Sequence, residues 1–346
     1  MAISRVLTGV RPTHEDGQHL GHYVGALRGW LNYQSQLNTE CFFLVADIQA
    51  LTTHADQPQM IRESVKGVVK DWLAVGLNPN LANVNFVLQS QVKDRAELSL
   101  LLSMIAPWGE LARNPTIKEE LDKMKSKGSS ETVGFMTYPV DQAADIYMIS
   151  PPNEQGNEIL VPVGADQLPH LEFAREIARR FNRAYDVNLF RPCEGRTTDV
   201  GRLSGTDGQG KMSKSQGNAI MLSDSAEIVK AKIMGMYTDP NRHRSTDPGT
   251  VENNPLFEYF DAFAPDHEEV DEYKRKYRLG QIGDVYLKQR LADIINNMLD
   301  PIRERYIENQ NAPVGDYLLA GTARASEICS EVVAYAREAM YLGFPE

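Results

Sequence analysis

The chain places two histidines around a Leu-Gly pair, HLGH at residues 19–22, and follows them at once with an apolar helical pattern. A helix start turns unpaired N–H groups and a partial positive charge outward, which suits an anion. A glycine there lets a flat or charged group approach the backbone. Imidazoles beside it can donate hydrogen bonds to phosphate oxygens. On its own the tetrapeptide fits two ordinary histidines near a helix cap equally well. A second segment changes the balance. KMSKS, Lys211 to Ser215, lies inside LSGTDGQGKMSKSQGN (203–218), a stretch rich enough in Gly, Ser and Lys to read as a loop. Lys211 and Lys214, between serines and on glycine hinges, make a mobile cationic clamp. Such a clamp suits the negative charge that builds on a leaving pyrophosphate when a triphosphate's bridging bond breaks.

Both segments need a frame. RVLTG (5–9) reads as a short strand ending in glycine, and residues 19 to about 36 as a helix. CFFLVADIQAL (41–51) begins as the continuous apolar run of a strand buried on both faces. Ile61, Val65, Val68, Val69, Trp72 and Leu73 then follow at helical spacing, and VNFVLQS (84–90) is a third strand. Strands separated by helices are βαβ units in series, so the expected architecture is a parallel, doubly wound sheet. The stretch 94–135 reads as largely helical and ends in KMKSKGSSE (123–131), a polar, mobile segment. ILVPVG (159–164) is another buried strand, and LPHLEFAREIARRFN (168–182) is the helix after it. Beyond about residue 200 the pattern is a loop and then helices to the end. DSAEIVKAKI opens them with Asp224 and Glu227 in a capping-box arrangement.

The bulk numbers bound the function. The 346 residues suffice for roughly two domains and a large core. No apolar run reaches the roughly 18 residues of a membrane span. The start, MAISRVLTG, has no secretory pattern, and Cys41, Cys193 and Cys329 lie far apart without metal-type spacing. Both features point to a reducing cytoplasm. A net charge of −11 argues against general coating of nucleic acid but leaves room for a local basic site. The densest basic patch, YKRKYR (273–278), reads first as a solvated helix face and second as an RNA contact.

HLGH after the first strand and KMSKS after the last strand of a parallel sheet resemble the signatures of the class I aminoacyl-tRNA synthetases. YPVDQAADI (138–146), VPVGADQ (161–167), DPGTVENNP (247–255) and GDVYLKQRLADIINNMLDPIRERY (283–306) narrow the resemblance to the bacterial tryptophanyl-tRNA synthetases, from about residue 5 to 340. The resemblance implies a Rossmann-type (HUP-like) catalytic domain over 1–202, whose helical insertion at 90–135 builds a homodimer interface. It further implies a mobile loop at 203–218, an α-helical anticodon-binding domain at 219–325, and a C-terminal helix at 326–346 packing back on the first domain. The implied reaction activates tryptophan with Mg²⁺ and ATP to tryptophanyl-adenylate and pyrophosphate. The tryptophanyl group then passes to the 2′-OH of the terminal adenosine of tRNA(Trp).

The resemblance also assigns residues. His19, His22, Lys211 and Lys214 would be catalytic, the histidines on phosphate oxygens and the lysines on pyrophosphate. ATP would lie against Arg11, Pro12, Thr13, Gly21, His22, Gly164, Ala165, Asp166 and Arg202, with Lys211, Met212, Ser213, Lys214 and Ser215 closing over it. Gly21 would give adenine or ribose room at the backbone, and Asp166 would hold the ribose hydroxyls. Lys118, in NPTIKEE, resembles a further phosphate-facing lysine and reads equally as an exposed helix lysine. Asp145 would take the indole N–H, with Tyr138, Gln142, Gln167, Gln49, Val161 and Val163 around the substrate. No metal ligand is named, because Mg²⁺ rides on the phosphates.

Three positions depart from the family pattern and mark a divergent subgroup. Arg11 replaces a glutamine, Gln49 stands where histidine is frequent, and Gln142 where methionine is common. Gln49 and Gln142 are expected to add polar contacts around the substrate ammonium. Three other readings stay open from sequence: tyrosine as the amino acid, a small-molecule nucleotidyltransferase sharing the HxGH motif, and a paralogue that has lost catalysis. Intact His19, His22, Lys211 and Lys214 argue against the last.

Overall fold

Apolar residues in unbroken runs make strands that must be covered on both faces, and the sheet is built from such runs. The computed structural model describes residues 3–13, 17–126, 132–152, 158–197, 203–213 and 216–344. Strands β1 (Ser4–Val10), β2 (Thr39–Val45), β3 (Val84–Leu88), β4 (Ile159–Pro162) and β5 (Glu194–Arg196) form one sheet in the order β3-β2-β1-β4-β5. Every neighbouring pair is parallel. Alternation along β2 sends Cys41, Phe43 and Val45 to one core and Phe42 and Leu44 to the other. This is the doubly wound α/β architecture expected from sequence.

On the first face, α1 (Leu20–His22) passes through a π-helical turn (Tyr23–Leu27) into α2 (Arg28–Gln34). α3 (Asp47–His54) follows β2, and α4 (Pro58–Val75) crosses back over the sheet. Trp30 and Trp72 meet there edge to face at 5.7 Å, and Trp72 meets Phe86 at 5.2 Å. The opposite face carries α5 (Lys93–Ser103), α8 (Val133–Tyr147) and α9 (Leu168–Tyr185). Between α5 and α8 come α6 (Trp108–Leu111) and α7 (Pro115–Ser126). The polar 123–131 segment therefore begins as helix, and its remainder lies outside the described residues.

The helical half comprises α10 (Ala226–Met234), α11 (Pro255–Phe263), α12 (His267–Arg278), α13 (Asp284–Glu308) and α14 (Val314–Ala339). Its apolar residues Val229, Ile233, Leu256, Leu291 and Leu299 belong to the same core as Val6 and Trp72. Arg305 Nε donates to the Ala74 carbonyl at 2.6 Å, and the Tyr306 hydroxyl donates to the Asp71 carboxylate. The basic patch on α12 is neutralised in place. Lys274 pairs with Asp261, Arg275 and Lys276 with Glu272, and Arg278 with Glu252, while Tyr273 and Tyr277 turn into the core. That arrangement is a solvated, ion-paired face.

The domain division drawn from sequence cuts α14 at residue 325, but this helix is continuous from Val314 to Ala339. It lies along the free edge of β3. Thr322 Oγ1 accepts the Leu88 N–H at 3.0 Å, meeting part of the polar edge that an outer strand leaves open. A Cβ on Gly321 would come within 2.3 Å of the Phe86 carbonyl oxygen, so only glycine lets the helix come this close. We expect Gly321→Ala to lower unfolding free energy by about 1–3 kcal/mol through overpacking. Urea denaturation should show a lower midpoint with an unchanged m-value.

Candidate active site

Where the strand order of a doubly wound sheet reverses, the C-terminal ends of adjacent strands part and leave a crevice. Here the reversal falls between β1 and β4. Their ladder pairs only Arg5 with Ile159 and Val6 with Leu160. Beyond it the Thr8 hydroxyl spans to the Pro162 carbonyl at 2.9 Å, and a cavity of about 250 Å³ opens. Its floor is the end of β1, from Leu7 to Arg11, facing Val161 to Gly164 on the other side. Gly25, Ala26 and Trp30 wall it from the π turn and α2, and α8 closes it with Tyr138, Gln142, Asp145 and Ile146. A larger crevice of about 720 Å³ lies between α4 and the helical half, lined by Lys70, Asp71, Lys232 and Tyr306 among others, but none of the expected site residues lines it.

The deep end of the cavity is a buried charge cluster. Asp145 is 3% exposed. Gln89 Nε2 donates to its two oxygens at 3.0 and 2.8 Å, and the Arg95 guanidinium donates to Oδ1. Arg95, equally buried, also pairs with Asp141 one turn earlier on α8. The Gln89 amide is fixed at its other end, where Oε1 accepts the Gln49 N–H at 3.1 Å. Burial pushes the Asp145 carboxyl above the usual carboxylate range, while Arg95 pulls it back down. With Arg95 and Gln89 both directed at it, its orientation is set before any ligand arrives.

A second polar chain runs along the wall. Asn114 Oδ1 accepts the Thr116 N–H at 3.0 Å, which turns its Nδ2 toward His170 Nδ1 at 3.4 Å. His170 Nδ1 is then an acceptor, so the proton sits on Nε2, which faces the Tyr138 hydroxyl at 3.0 Å. Tyr138 passes its own proton toward Glu120 Oε2 at 2.8 Å. Burial lowers His170 to a pKa of about 4, which keeps the imidazole neutral. Glu120, at the end of this chain, lines the cavity and carries negative charge to it.

The two signature segments meet beside the cavity. His22 Nδ1 accepts the His19 N–H at 3.3 Å, and the two rings stack at 3.9 Å. A Cβ on Gly21 would lie 2.9 Å from His19 Cε1 and 3.0 Å from His19 Nδ1, with Met212 Cβ at 3.7 Å. The room left by this glycine is thus taken by an imidazole of its own motif. Residues 18–20 and 220–222 are bonded together, Leu20 N–H to the Ile220 carbonyl at 2.9 Å and Leu222 N–H to the Gln18 carbonyl at 3.0 Å. Within the loop, Asn218 organises the turn: its Oδ1 accepts the Ser213 N–H at 2.8 Å, and its Nδ2 donates to Asp207 at 3.0 Å. Met212 is buried, while the Lys211 side chain is exposed.

Of the residues singled out from sequence, Arg11, Gln49, Tyr138, Gln142, Asp145, Val161, Val163, Gly164 and Gln167 share the one cavity. His19, Gly21, His22 and Met212 form the adjoining cluster. Ala165 and Asp166 are exposed in a 3₁₀ turn (Ala165–Gln167), where Thr116 Oγ1 donates to the Asp166 carbonyl at 3.1 Å. Pro12 is buried and Thr13 half-buried just beyond β1, and Ser213 lies in the loop. Lys118 is exposed on α7. Arg202, Lys214 and Ser215 lie outside the described residues. Gln89, Arg95, Asp141, Glu120 and His170 were not singled out. The available signal was charge at an apolar helical phase: Arg95 is in register with the buried Leu98 and Leu102.

A family model described as "tRNA synthetases class I (W and Y)" matches residues 2–300. The chain is 42% identical over 351 residues to the tryptophan–tRNA ligase of Lactococcus lactis, covering 99% of both chains. Among solved structures, it is similar to the tryptophanyl-tRNA synthetase of Campylobacter jejuni complexed with ADP and tryptophan. That match has a TM-score of 0.79 at 31% identity and covers 98% of this chain and 100% of the other. The enzyme of Mycoplasma pneumoniae matches with a TM-score of 0.78 at 25% identity, covering 99% and 98%.

A histidine whose pKa is depressed in the folded state, from about 6.5 to about 4, binds its proton more readily when unfolded. Its contribution to stability is complete above pH 6.5 and is lost as pH falls toward 4. His170→Gln should flatten that limb of the stability–pH curve relative to the parent protein, as measured by urea unfolding at several pH values.

Proposed function

The chain belongs to the class I tRNA synthetases that serve tryptophan and tyrosine, and from that premise we propose that it is an ATP-dependent tryptophan–tRNA ligase. The observation that carries the amino-acid choice is Asp145, a buried carboxylate fixed at the closed end of a switch-point cavity. A ring N–H meets it with a hydrogen bond, whereas a substrate without a donor leaves it less well satisfied. The amino acid enters ring first. Its ammonium then lies among Tyr138, Gln167 and the Glu120 carboxylate, and its carboxylate points to the mouth of the cavity.

ATP lies across that mouth, with its ribose by Gly164 and Asp166 and its phosphates by His19 and His22. The tryptophan carboxylate oxygen attacks the α-phosphorus, the bond to the bridging oxygen breaks, and pyrophosphate leaves. The protein supplies position and charge rather than a nucleophile. His19 and His22 donate to the phosphate oxygens, while Lys211 and Lys214 meet the charge gathering on pyrophosphate. The tRNA 2′-OH then displaces AMP from the adenylate. We assign Mg²⁺ to the triphosphate and name no protein ligand for it.

The helical half, 219–313, is the proposed anticodon-binding domain, and α14 belongs with the sheet it covers. We also propose a homodimer built by the insertion after β3. There Leu100, Met104 and Trp108, four residues apart, are each more than half exposed, and Val133, also within the insertion, is 80% exposed. No helix among the described residues is long and apolar enough to cross a membrane.

ATP–pyrophosphate exchange should proceed with tryptophan and not with tyrosine; exchange with tyrosine alone would reverse the assignment. Lys211→Ala should lower kcat at least tenfold with little change in the KM for ATP, because the charge it meets appears in the transition state. Met104→Glu should convert the dimer to a monomer, as read by light scattering after gel filtration.

A further inference from the structure

Helices α3, α4 and α14 do not close on one another at the end of β3, and a cavity of about 460 Å³ opens between them. None of the residues assigned above to tryptophan or ATP lines it. Its walls are apolar pairs about one helical turn apart: Ile48 and Leu51 on α3, Ile61 and Val65 on α4, Val314 and Leu318 on α14. That volume suits a small organic molecule. Beside the apolar pair on α4 runs a charged one, Arg62 and Lys66, which also line the cavity and are exposed. The cations of α12 are each paired with a carboxylate, whereas these two form no ion pair among the described residues. Asp47 is the one carboxylate in the lining, and its Oδ1 accepts the Ile48 and Ser90 N–H groups at 3.1 and 2.9 Å. The complement of such a space is an apolar body that carries a single anionic group.

The back of this cavity is the scaffold of Asp145. Ser90, held by Asp47, directly follows Gln89. Two residues beyond Asp47, the Gln49 N–H is accepted by Gln89 Oε1, and Gln89 Nε2 donates to both Asp145 oxygens. The orientation of Asp145 thus depends on a turn and a helix start whose other side faces the second cavity. We propose that this cavity binds a small amphipathic monocarboxylate, with its apolar chain or ring between α3, α4 and α14 and its carboxylate on Arg62 and Lys66. Occupancy moves the Gln89 amide off its position on Asp145 and weakens the binding of tryptophan. This second effect rests on reading Asp145 as part of the tryptophan pocket; the site itself does not.

Octanoate is the probe, titrated into the full-length protein by isothermal calorimetry. Changing Arg62→Gln and Lys66→Gln together alters two exposed residues outside the catalytic machinery and should weaken octanoate binding about tenfold. Octan-1-ol, with the same chain and no charge, should bind the parent protein correspondingly less well. Leu51→Trp should weaken octanoate by filling space rather than by removing charge. In ATP–pyrophosphate exchange, saturating octanoate should raise the KM for tryptophan about fivefold and leave the KM for ATP unchanged. The double variant should keep the parent KM values and lose that response. No binding to the parent, or binding that the variants leave intact, overturns the site. A rise in KM that persists in the double variant would mean competition inside the tryptophan cavity, and binding without any change in KM would mean no coupling; either overturns the inference. If the unmodified protein does not exchange with tryptophan, the catalytic reading falls, while the calorimetric comparison still decides the site.

Discussion

Two hydrogen-bonded residue pairs between β1 and β4 determine where everything else can go. Had the ladder continued past Val6 and Leu160, the strand ends would have stayed closed and no cavity would lie between them. Instead Thr8 spans the gap with its side chain, and the backbone groups beyond it face a space that helices must wall off. The π turn after HLGH supplies one wall with the small residues Gly25 and Ala26. Helix α8 supplies another, and the 3₁₀ turn after β4 forms the rim. A single divergence in a sheet thus creates both the room for a ring and the open mouth where a nucleotide can meet it.

The cavity holds its shape because its polar wall residues are satisfied from behind. Arg95, Asp141 and Asp145 place one cation between two anions in the interior, an arrangement stable only with close pairing and further hydrogen bonds. Gln89 supplies those bonds and ties the cluster to the start of α3 through the Gln49 N–H. The Asn114–His170–Tyr138–Glu120 chain does the same two turns earlier on α8, each group fixing the proton of the next. Two wall residues lack such support: Gln142 Oε1 and Trp30 Nε1 are buried without a hydrogen-bond partner.

Much of this was legible in the residues. Strands β1 to β3 show as apolar runs because each is buried on both faces, and α4 shows as a clean helical period because one side alone is buried. The cavity residues follow from motif resemblance, since YPVDQAADI and VPVGADQ keep their order and spacing. Strand β5 could not be read that way: Glu-Gly-Arg carries no apolar pattern, and only pairing with β4 makes it a strand. Nor could the extent of α14, whose covering of β3 depends on a close approach across the fold. The partners of Asp145 were equally hidden. A buried arginine looks like any other in sequence until tertiary structure shows which carboxylates surround it. At Gly21, where the motif leads one to expect space for a ligand, the protein atoms nearest to the missing Cβ belong to the His19 ring.

The seal that α14 places on β3 has a consequence for how the protein is made. The Leu88 amide and its acceptor on Thr322 are 234 residues apart, so a ribosome extrudes a long stretch of the chain between them. Throughout that interval β1, β2 and β3 can associate, but the outer rim of β3 remains an open template for stray strands. Covering of the sheet edge is therefore late and non-local, the kind of closure that limits folding rate. Nascent chains that stall before the last helix would present the same uncovered rim to chaperones and to one another.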